Sequence, residues 1–179
     1  MKKESIKLAG ILCIITLVAA LLLGFVNQLT APEIIKAEKA AAENAMKTIL
    51  TDAQSFEMIN DNIYAGMKDA NLVGYCVSVS SKGFGGDIAM MVGISADGSV
   101  TGIEILSHGE TPGLGAKAAT EDFKNQFKGK NPYLDVVKVP TDSIDKVSAI
   151  TGATITSNAV ASGVAQAFDM VKELKGGNK

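Results

Sequence analysis

The hydrophobic pattern divides the chain into a continuous apolar run and a longer region of mixed periodicity. Residues 8–26 contain no charged side chain. At 1.5 Å per residue such a run spans roughly 28 Å, about the thickness of the hydrocarbon core of a membrane. It therefore predicts one transmembrane helix. A cleaved signal peptide is the alternative, but the run is longer than a usual signal-peptide core and no convincing small-x-small cleavage site follows it.

The charges around this run predict its orientation. Lysines precede it at three positions, whereas acidic and basic residues balance after it: Lys2, Lys3 and Lys7 against Glu33, Lys36, Glu38 and Lys39. Because positive loops stay in the cytoplasm, we expect residues 1–7 to be cytoplasmic. Everything after Val26 would then lie outside, in the periplasm or at the cell surface, on a single-pass protein of the cell (inner) membrane.

Residues 27–50 have helical character of their own. Thr30-Ala-Pro-Glu33 is typical of a capping box with proline in the first turn, and it predicts that a helix begins there. Apolar residues then recur along one face as far as Ile49. This segment is either a stalk between the membrane and the domain or the first helix of the domain, and the sequence leaves both interpretations open.

Residues 51–175 are predicted to form one α+β domain. Four runs rich in Val, Ile and Tyr have strand length, and they are residues 62–67, 72–80, 87–95 and 99–106. Ala96-Asp97-Gly98 is a hairpin turn signal between the last two. Later segments predict a helix, a strand, a short apolar stretch and a final helix, at residues 116–127, 133–139, 147–150 and 158–174. The fold class is therefore an antiparallel sheet flanked by helices, after one N-terminal transmembrane helix.

Composition excludes several kinds of site. The net charge is −2 and no basic patch exists, so nucleic acid is not expected as a partner. Cys13 lies in the apolar run and Cys76 in a strand-like run, so no disulfide is expected. With His108 as the single histidine, no metal site is expected either. The glycines of residues 83–86 imitate a phosphate loop, but no helix follows them, which favours a hairpin connection.

Two polar motifs could form a binding site. In Ser148–Val160, hydroxyl residues precede the last predicted helix, so Thr154 would lie where a helix start favours an anion. Thr156, Ser157 and Asn158 are preferred N-cap types, so plain capping is the alternative. The second motif is the loop formed by Glu110, Thr111, Pro112, Gly113, Leu114 and Gly115. Its proline and glycines would let the backbone lie against a flat ring, or would simply make a rigid turn.

Together, Glu-Thr-Pro-Gly-Leu-Gly and the later Thr-Gly-Ala-Thr-x-Thr resemble the FMN-binding domain of two related membrane proteins. These are the G subunit of the Rnf (Rsx) electron-transport complex and the C subunit of the sodium-pumping NADH:quinone oxidoreductase. The resemblance implies FMN joined through its phosphate to Thr154 by a flavin transferase that uses FAD and a divalent metal. Thr156 is the second choice for the attachment. The implied cofactor-binding residues are Thr151, Gly152, Ala153, Thr154, Thr156 and residues 110–115.

One position departs from the family pattern. Family members commonly carry an acidic residue three positions before the first Ser/Thr of the second motif, where this chain has Ser148. The departure weakens, modestly, the expectation that the transferase recognises the site with full efficiency.

The resemblance also implies a function. The chain would relay electrons in an Rnf-type ferredoxin:NAD oxidoreductase complex coupled to Na⁺ or H⁺ translocation, with the other membrane subunits as partners and no catalytic side chain of its own. The short chain favours the G subunit over the C subunit. A free-standing, membrane-anchored extracellular flavin reductase and an anchored binding module without a redox role are the alternatives.

Overall fold

The computed structural model describes residues 2–176, and the side chains from residue 6. Met1, the first residue of the predicted cytoplasmic segment, and residues 177–179 lie outside this range. The chain forms two compact units, residues 1–40 and 41–179.

Helix α1 runs from Lys2 to Ile49. Its described residues up to Ala40 make up the first unit, and its last residues, from Ala41, belong to the second unit. Its large apolar side chains from Ile6 to Val26 are exposed. Within residues 2–176, α1 is the one helix that is long and apolar enough to cross a membrane. Such an exposed apolar surface is stable only in a non-aqueous surrounding, which fits membrane anchoring.

The predicted helix start at Thr30 is wrong, because α1 continues through this position and through Pro32. The Thr30 hydroxyl donates to the carbonyl of Val26 at 3.0 Å, four residues back, and does not cap a new helix. Threonine side chains in helix interiors commonly bond in this way.

The second unit is built on a five-stranded antiparallel sheet in the order β1-β2-β3-β4-β5. Its strands are β1 Ser55–Asn60, β2 Ile63–Lys68, β3 Asn71–Lys82, β4 Asp87–Ser95 and β5 Val100–Ser107. The four predicted strands are β2 to β5. The edge strand β1 was missed, since its side chains are mostly exposed and lack the alternation of a half-buried strand.

Both faces of the sheet are covered. Successive side chains of β4 point to opposite faces, and Met90 and Val92 belong to one buried cluster whereas Met91 belongs to another. The first cluster includes apolar residues of the last helix, and the second includes Met46 and Ile49 at the end of α1. Residues 41–49 of α1 are therefore packed on the sheet.

The segments after β5 are shorter than predicted. The expected helix at 116–127 is divided into a 3₁₀ turn, Gly115–Ala119, the short α2, Glu121–Lys124, and a second 3₁₀ turn, Asn125–Phe127. Thr120 adopts an extended conformation between them, which breaks the helix. Two three-residue strands, β6 Asp135–Val137 and β7 Lys146–Ser148, then form a parallel pair.

The last helix, α3, runs from Thr154 to Gly176 and begins four residues earlier than predicted. Thr156, Ser157 and Asn158 are consequently not N-caps. Ser157 and Asn158 donate from their side chains to carbonyls four residues back, those of Ala153 and Thr154, each at 2.9 Å. Hydroxyl and amide side chains can form their hydrogen bonds inside a helix in this way. The run of polar residues therefore led to a predicted helix start that is wrong.

Candidate functional site

The two polar motifs meet at one cleft of about 410 Å³ in the second unit. Its walls come from the β3–β4 hairpin, the loop after β5 and the start of α3. The lining residues are Phe84, Glu110, Thr111, Leu114, Gly115, Gly152, Ala153, Thr154, Ile155 and Thr156. The fold thus brings together segments that lie about 40 residues apart in the chain, from Glu110 to Thr154.

Thr154 is the first residue of α3 and its side chain is exposed at the cleft. Gly152 precedes it with φ of +79°, a conformation that favours glycine and turns the chain into the helix. The first helical hydrogen bond here runs from the Ser157 N–H to the Ala153 carbonyl at 3.0 Å. Thr154 therefore presents a hydroxyl beside backbone N–H groups that have no partner within the helix.

Thr156 also lines the cleft, but its side chain points away from that of Thr154, because residues two apart in a helix point to nearly opposite sides. Only 1% of it is exposed, and its hydroxyl donates to Glu110 Oε2 at 2.7 Å. The neighbouring Ser157 is fully buried and its hydroxyl accepts from the Ile150 N–H at 3.0 Å. The inner face of this turn is thus part of a buried polar network.

Glu110 is the centre of that network, and 6% of it is exposed. Its Oε1 accepts from the backbone N–H groups of Phe84 at 2.8 Å and Gly85 at 3.0 Å, while Oε2 accepts from Thr156. Its own N–H donates to His108 Nδ1 at 3.2 Å. Burial alone would raise the pKa of Glu110, but the hydrogen bonds from Thr156, Gly85 and Phe84 outweigh it. The pKa is therefore below its ordinary value and the carboxylate is ionised at neutral pH.

The remaining residues of the motifs are divided between those that line the cleft and those that do not. Thr111, Leu114 and Gly115 line the cleft, whereas Pro112, Gly113 and Thr151 do not. Gly113 has φ of +78°, a conformation that favours glycine, so this residue is needed for the turn of the loop. Ser148 lies at the end of β7, where its N–H donates to Gln126 Oε1 at 2.8 Å. Its hydroxyl donates to the Val139 carbonyl at 3.2 Å.

Sequence reasoning missed two lining residues, Phe84 and Ile155. They are large and apolar, yet 72% and 56% exposed, and Leu114 at 45% makes a third such residue at the cleft. The signal for Phe84 was its place among the glycines of residues 83–86, a loop whose pattern indicated only a connection.

The cleft fits a flavin by its chemistry. Its volume falls in the range of about 300–1,000 Å³ that is usual for small-molecule sites. Exposed apolar side chains could cover a flat ring, and a free hydroxyl at a helix start lies where a phosphate is favoured.

Comparison with known proteins agrees with this interpretation. Residues 83–169 match the family model of the FMN-binding domain, and residues 1–49 match the model of the RnfG N-terminal region. The fold and cleft thus define a flavin-binding domain joined to a membrane-length helix.

Similar proteins then show to which family this flavin-binding domain belongs. The chain is 34% identical to the G subunit of the proton-translocating ferredoxin:NAD(+) oxidoreductase complex of Clostridium ljungdahlii, over 93% of this chain and 91% of that protein. It is 35% identical to the G subunit of the Na(+)-translocating ferredoxin:NAD(+) oxidoreductase complex of Acetobacterium woodii, over 96% and 94%. The G subunit of the ion-translocating oxidoreductase complex of Methanosarcina acetivorans is 34% identical, over 97% and 98%. The chain belongs to the RnfG family, the G subunits of ion-translocating oxidoreductase complexes.

Solved structures share the fold. The crystal structure of Shewanella oneidensis NqrC superposes with a TM-score of 0.53 at 21% identity, covering 68% of this chain and 72% of that one. The C subunit of the Na(+)-translocating NADH-quinone reductase from Parabacteroides distasonis gives 0.53 at 28% identity, covering 62% and 60%. The predicted fold class, an antiparallel sheet flanked by helices, is confirmed.

Proposed function

We propose that this chain is the membrane-anchored flavoprotein subunit of an Rnf-type ferredoxin:NAD oxidoreductase complex, with FMN joined through its phosphate to Thr154. The observation that carries the proposal is Thr154, the first residue of α3, which is exposed and lines the cleft. Two relatives that align over more than nine-tenths of this chain are named as G subunits of ferredoxin:NAD(+) oxidoreductase complexes.

The attachment is a phosphoryl transfer that a flavin transferase would carry out with FAD and a divalent metal. In that reaction Thr154 Oγ1 would lose its proton and form the phosphoester bond with the riboflavin-side phosphate, and AMP would leave as the pyrophosphate P–O bond breaks. The exposed position of Thr154 suits this reaction, because an outside enzyme must reach the hydroxyl. The N–H groups at the start of α3 would then hold the ester phosphate.

The remaining cleft residues would bind the ring system and exclude water from it. Phe84, Leu114 and Ile155 offer apolar surface. A Cβ atom at Gly152 would lie 3.1 Å from the Leu114 side chain, so glycine there leaves that side chain room. Bound FMN supplies one- and two-electron transfer, which is the chemistry of a relay.

The orientation in the membrane follows from the charges that flank the apolar run. Lys2, Lys3 and Lys7 favour a cytoplasmic N-terminus. We place the second unit on the periplasmic or extracellular side. A covalent link is useful there, because a cofactor that dissociates outside the cell would be lost.

Coexpression of the full chain with a flavin transferase and the other subunits of the complex tests this proposal. We expect a fluorescent band under ultraviolet light on a denaturing gel, and copurification of that band with the membrane subunits. A chain without a band would contradict the covalent cofactor. A flavinylated chain that purifies alone and reduces an external acceptor would instead favour the free-standing reductase.

A further inference from the structure

Glu110 joins three segments that are far apart in the chain. One carboxylate oxygen, Oε1, binds two consecutive N–H groups of the β3–β4 hairpin, at Phe84 and Gly85, and the other binds the Thr156 hydroxyl of α3. The sequence separations are 26, 25 and 46 residues. The positions of the hairpin and the helix relative to the cleft are thus tied to one side chain.

Glycines make room for this carboxylate. A Cβ atom at Gly83 would overlap Glu110 Oε1, and one at Gly115 would overlap Oε2 and lie 2.8 Å from the Thr156 hydroxyl. A Cβ atom at Gly85 would overlap the backbone carbonyl of Gly109. The backbone of the β3–β4 hairpin therefore lies directly against the backbone of the loop after β5, next to the Glu110 side chain. Residues with a side chain at these glycine positions would not permit such a close approach.

The ionised form of Glu110 is what these donors require. A carboxylate accepts with both oxygens and donates with neither, so it can bind two N–H groups and one hydroxyl together. Hydrogen bonds to an ionised group are also stronger than neutral ones. A glutamine in this position would keep one accepting oxygen and would place a donor where the other now accepts.

The hairpin presents an aromatic ring at the cleft. Phe84 is 72% exposed, although phenylalanine is usually buried, and it is the residue whose N–H is bound by Glu110. Its ring lines the same cleft as Leu114 and Ile155. An exposed aromatic side chain on a tethered loop at a binding cleft is suited to cover a flat ligand.

From these observations we infer that Glu110 is a positioning residue and Phe84 a binding residue: Glu110 holds the hairpin so that the Phe84 ring contacts the flat ring system in the cleft. The inference rests on the proposed function, since it takes the ligand to be a flavin attached at Thr154. It adds Phe84, which lies outside both sequence motifs, to the binding site. It also assigns Glu110 of the first motif the role of fixing the position of the hairpin.

Visible circular dichroism of the attached flavin tests the contact, because this signal depends on how the ring is held. The full chain is coexpressed with a flavin transferase, and the attached flavin per chain is measured on a denaturing gel. Phe84→Leu should leave the attached amount unchanged but reduce the visible signal at least about twofold, as expected for loss of an aromatic contact. Phe84→Tyr should restore it. Because Phe84 is exposed, neither variant disturbs the core.

Glu110→Gln should reduce the same signal, and this loss should not add to that of Phe84→Leu in the double variant, because both act through one ring. Two matched controls lie elsewhere in the second unit. Tyr133→Leu is the control for Phe84→Leu, because it also removes an exposed aromatic ring. Lys124→Gln is the control for Glu110→Gln, because Lys124 is another charged residue that is only 6% exposed. Neither residue lines the cleft. Both should leave the flavin signal unchanged.

An unchanged signal in Phe84→Leu would overturn the contact. Additive losses in the double variant, or no loss in Glu110→Gln, would overturn the positioning role of Glu110. Absence of attached flavin from the unsubstituted chain is a different outcome, since it would contradict the proposed function itself.

Discussion

The outer and inner faces of the first turn of α3 carry the same residue type in two different settings. On the outer face, Thr154 is exposed at the cleft and the adjacent Ile155 is 56% exposed. On the inner face, Thr156 is 1% exposed and bound to Glu110, and Ser157 is fully buried. The helix rotates about 100° per residue, so a shift of two positions separates an accessible hydroxyl from a structural one. Of the two threonines in this turn, only Thr154 is accessible for the proposed attachment.

The largest effect should come from the outer face. Thr154→Val removes the proposed attachment hydroxyl, so we expect complete loss of the fluorescent band. The free energy of unfolding should change by no more than about 0.5 kcal/mol, because the side chain is exposed and away from the buried network. Gel fluorescence and chemical unfolding measure the two quantities. Thr151→Val is the matched control, since Thr151 is exposed, belongs to the same motif and does not line the cleft. A band that survives Thr154→Val would contradict the assignment.

The next effect concerns the space around the inner face. In Gly115→Ala the new methyl group would overlap Glu110 Oε2 and crowd the Thr156 hydroxyl. Such overpacking is expected to lower the free energy of unfolding by about 1–3 kcal/mol. Chemical unfolding checks the loss, with Gly102→Ala as control, where the methyl would make ordinary contacts of 3.6 Å with Ile49. Equal stability of the two variants would show that the space around Glu110 is not tight.

Removing the inner hydroxyl should have a smaller effect. Thr156→Val leaves Glu110 Oε2 without its donor, and we expect a loss of about 1–2 kcal/mol in the free energy of unfolding. The fluorescent band should remain. Thr156→Ser, which keeps the hydroxyl, should recover most of the stability in the same unfolding experiment. If the band disappears with Thr156→Val and persists with Thr154→Val, the attachment site is Thr156.

The smallest effect should be the pH dependence that Glu110 contributes. Its pKa in the folded chain is lower than the ordinary value of 4.5, so its stabilising contribution is present above that value. It should be lost as the pH falls through the folded pKa, because protonation removes an acceptor from the network. Unfolding of the chain and of Glu110→Gln between pH 7 and pH 3 measures this: the difference between them should shrink in acid. A constant difference would mean that Glu110 does not titrate with folding.

Much of the fold could be predicted from the alternation of side chains. Strands β2 to β5 have one or two buried faces and clear apolar runs, so residues such as Val77 and Val92 indicated them directly. The edge strand β1 could not be found in this way, because its exposed side chains carry no periodic signal. Helix starts were also misplaced, at Thr30 and at Asn158, because hydroxyl and amide side chains bonded within the helix look like caps in the sequence.

The candidate site could be predicted as two motifs but not as one network. Their meeting at a cleft depends on tertiary packing, and the bond between Glu110 and Thr156 spans 46 residues. The part played by Phe84 depends on the hairpin lying against Gly109, a contact that no local pattern indicates. The different settings of Thr154, which is exposed, and Thr156, which is buried, became apparent only once the start of α3 was known.

Mass spectrometry of the tryptic segment from Val147 to Lys172, taken from the full chain after coexpression with a flavin transferase, tests the central claim most directly. This segment contains Thr151, Thr154 and Thr156, and fragmentation distinguishes them. The account predicts the mass of FMN less one water on Thr154, with the other two threonines unmodified. An unmodified segment, or FMN on Thr156, would contradict it.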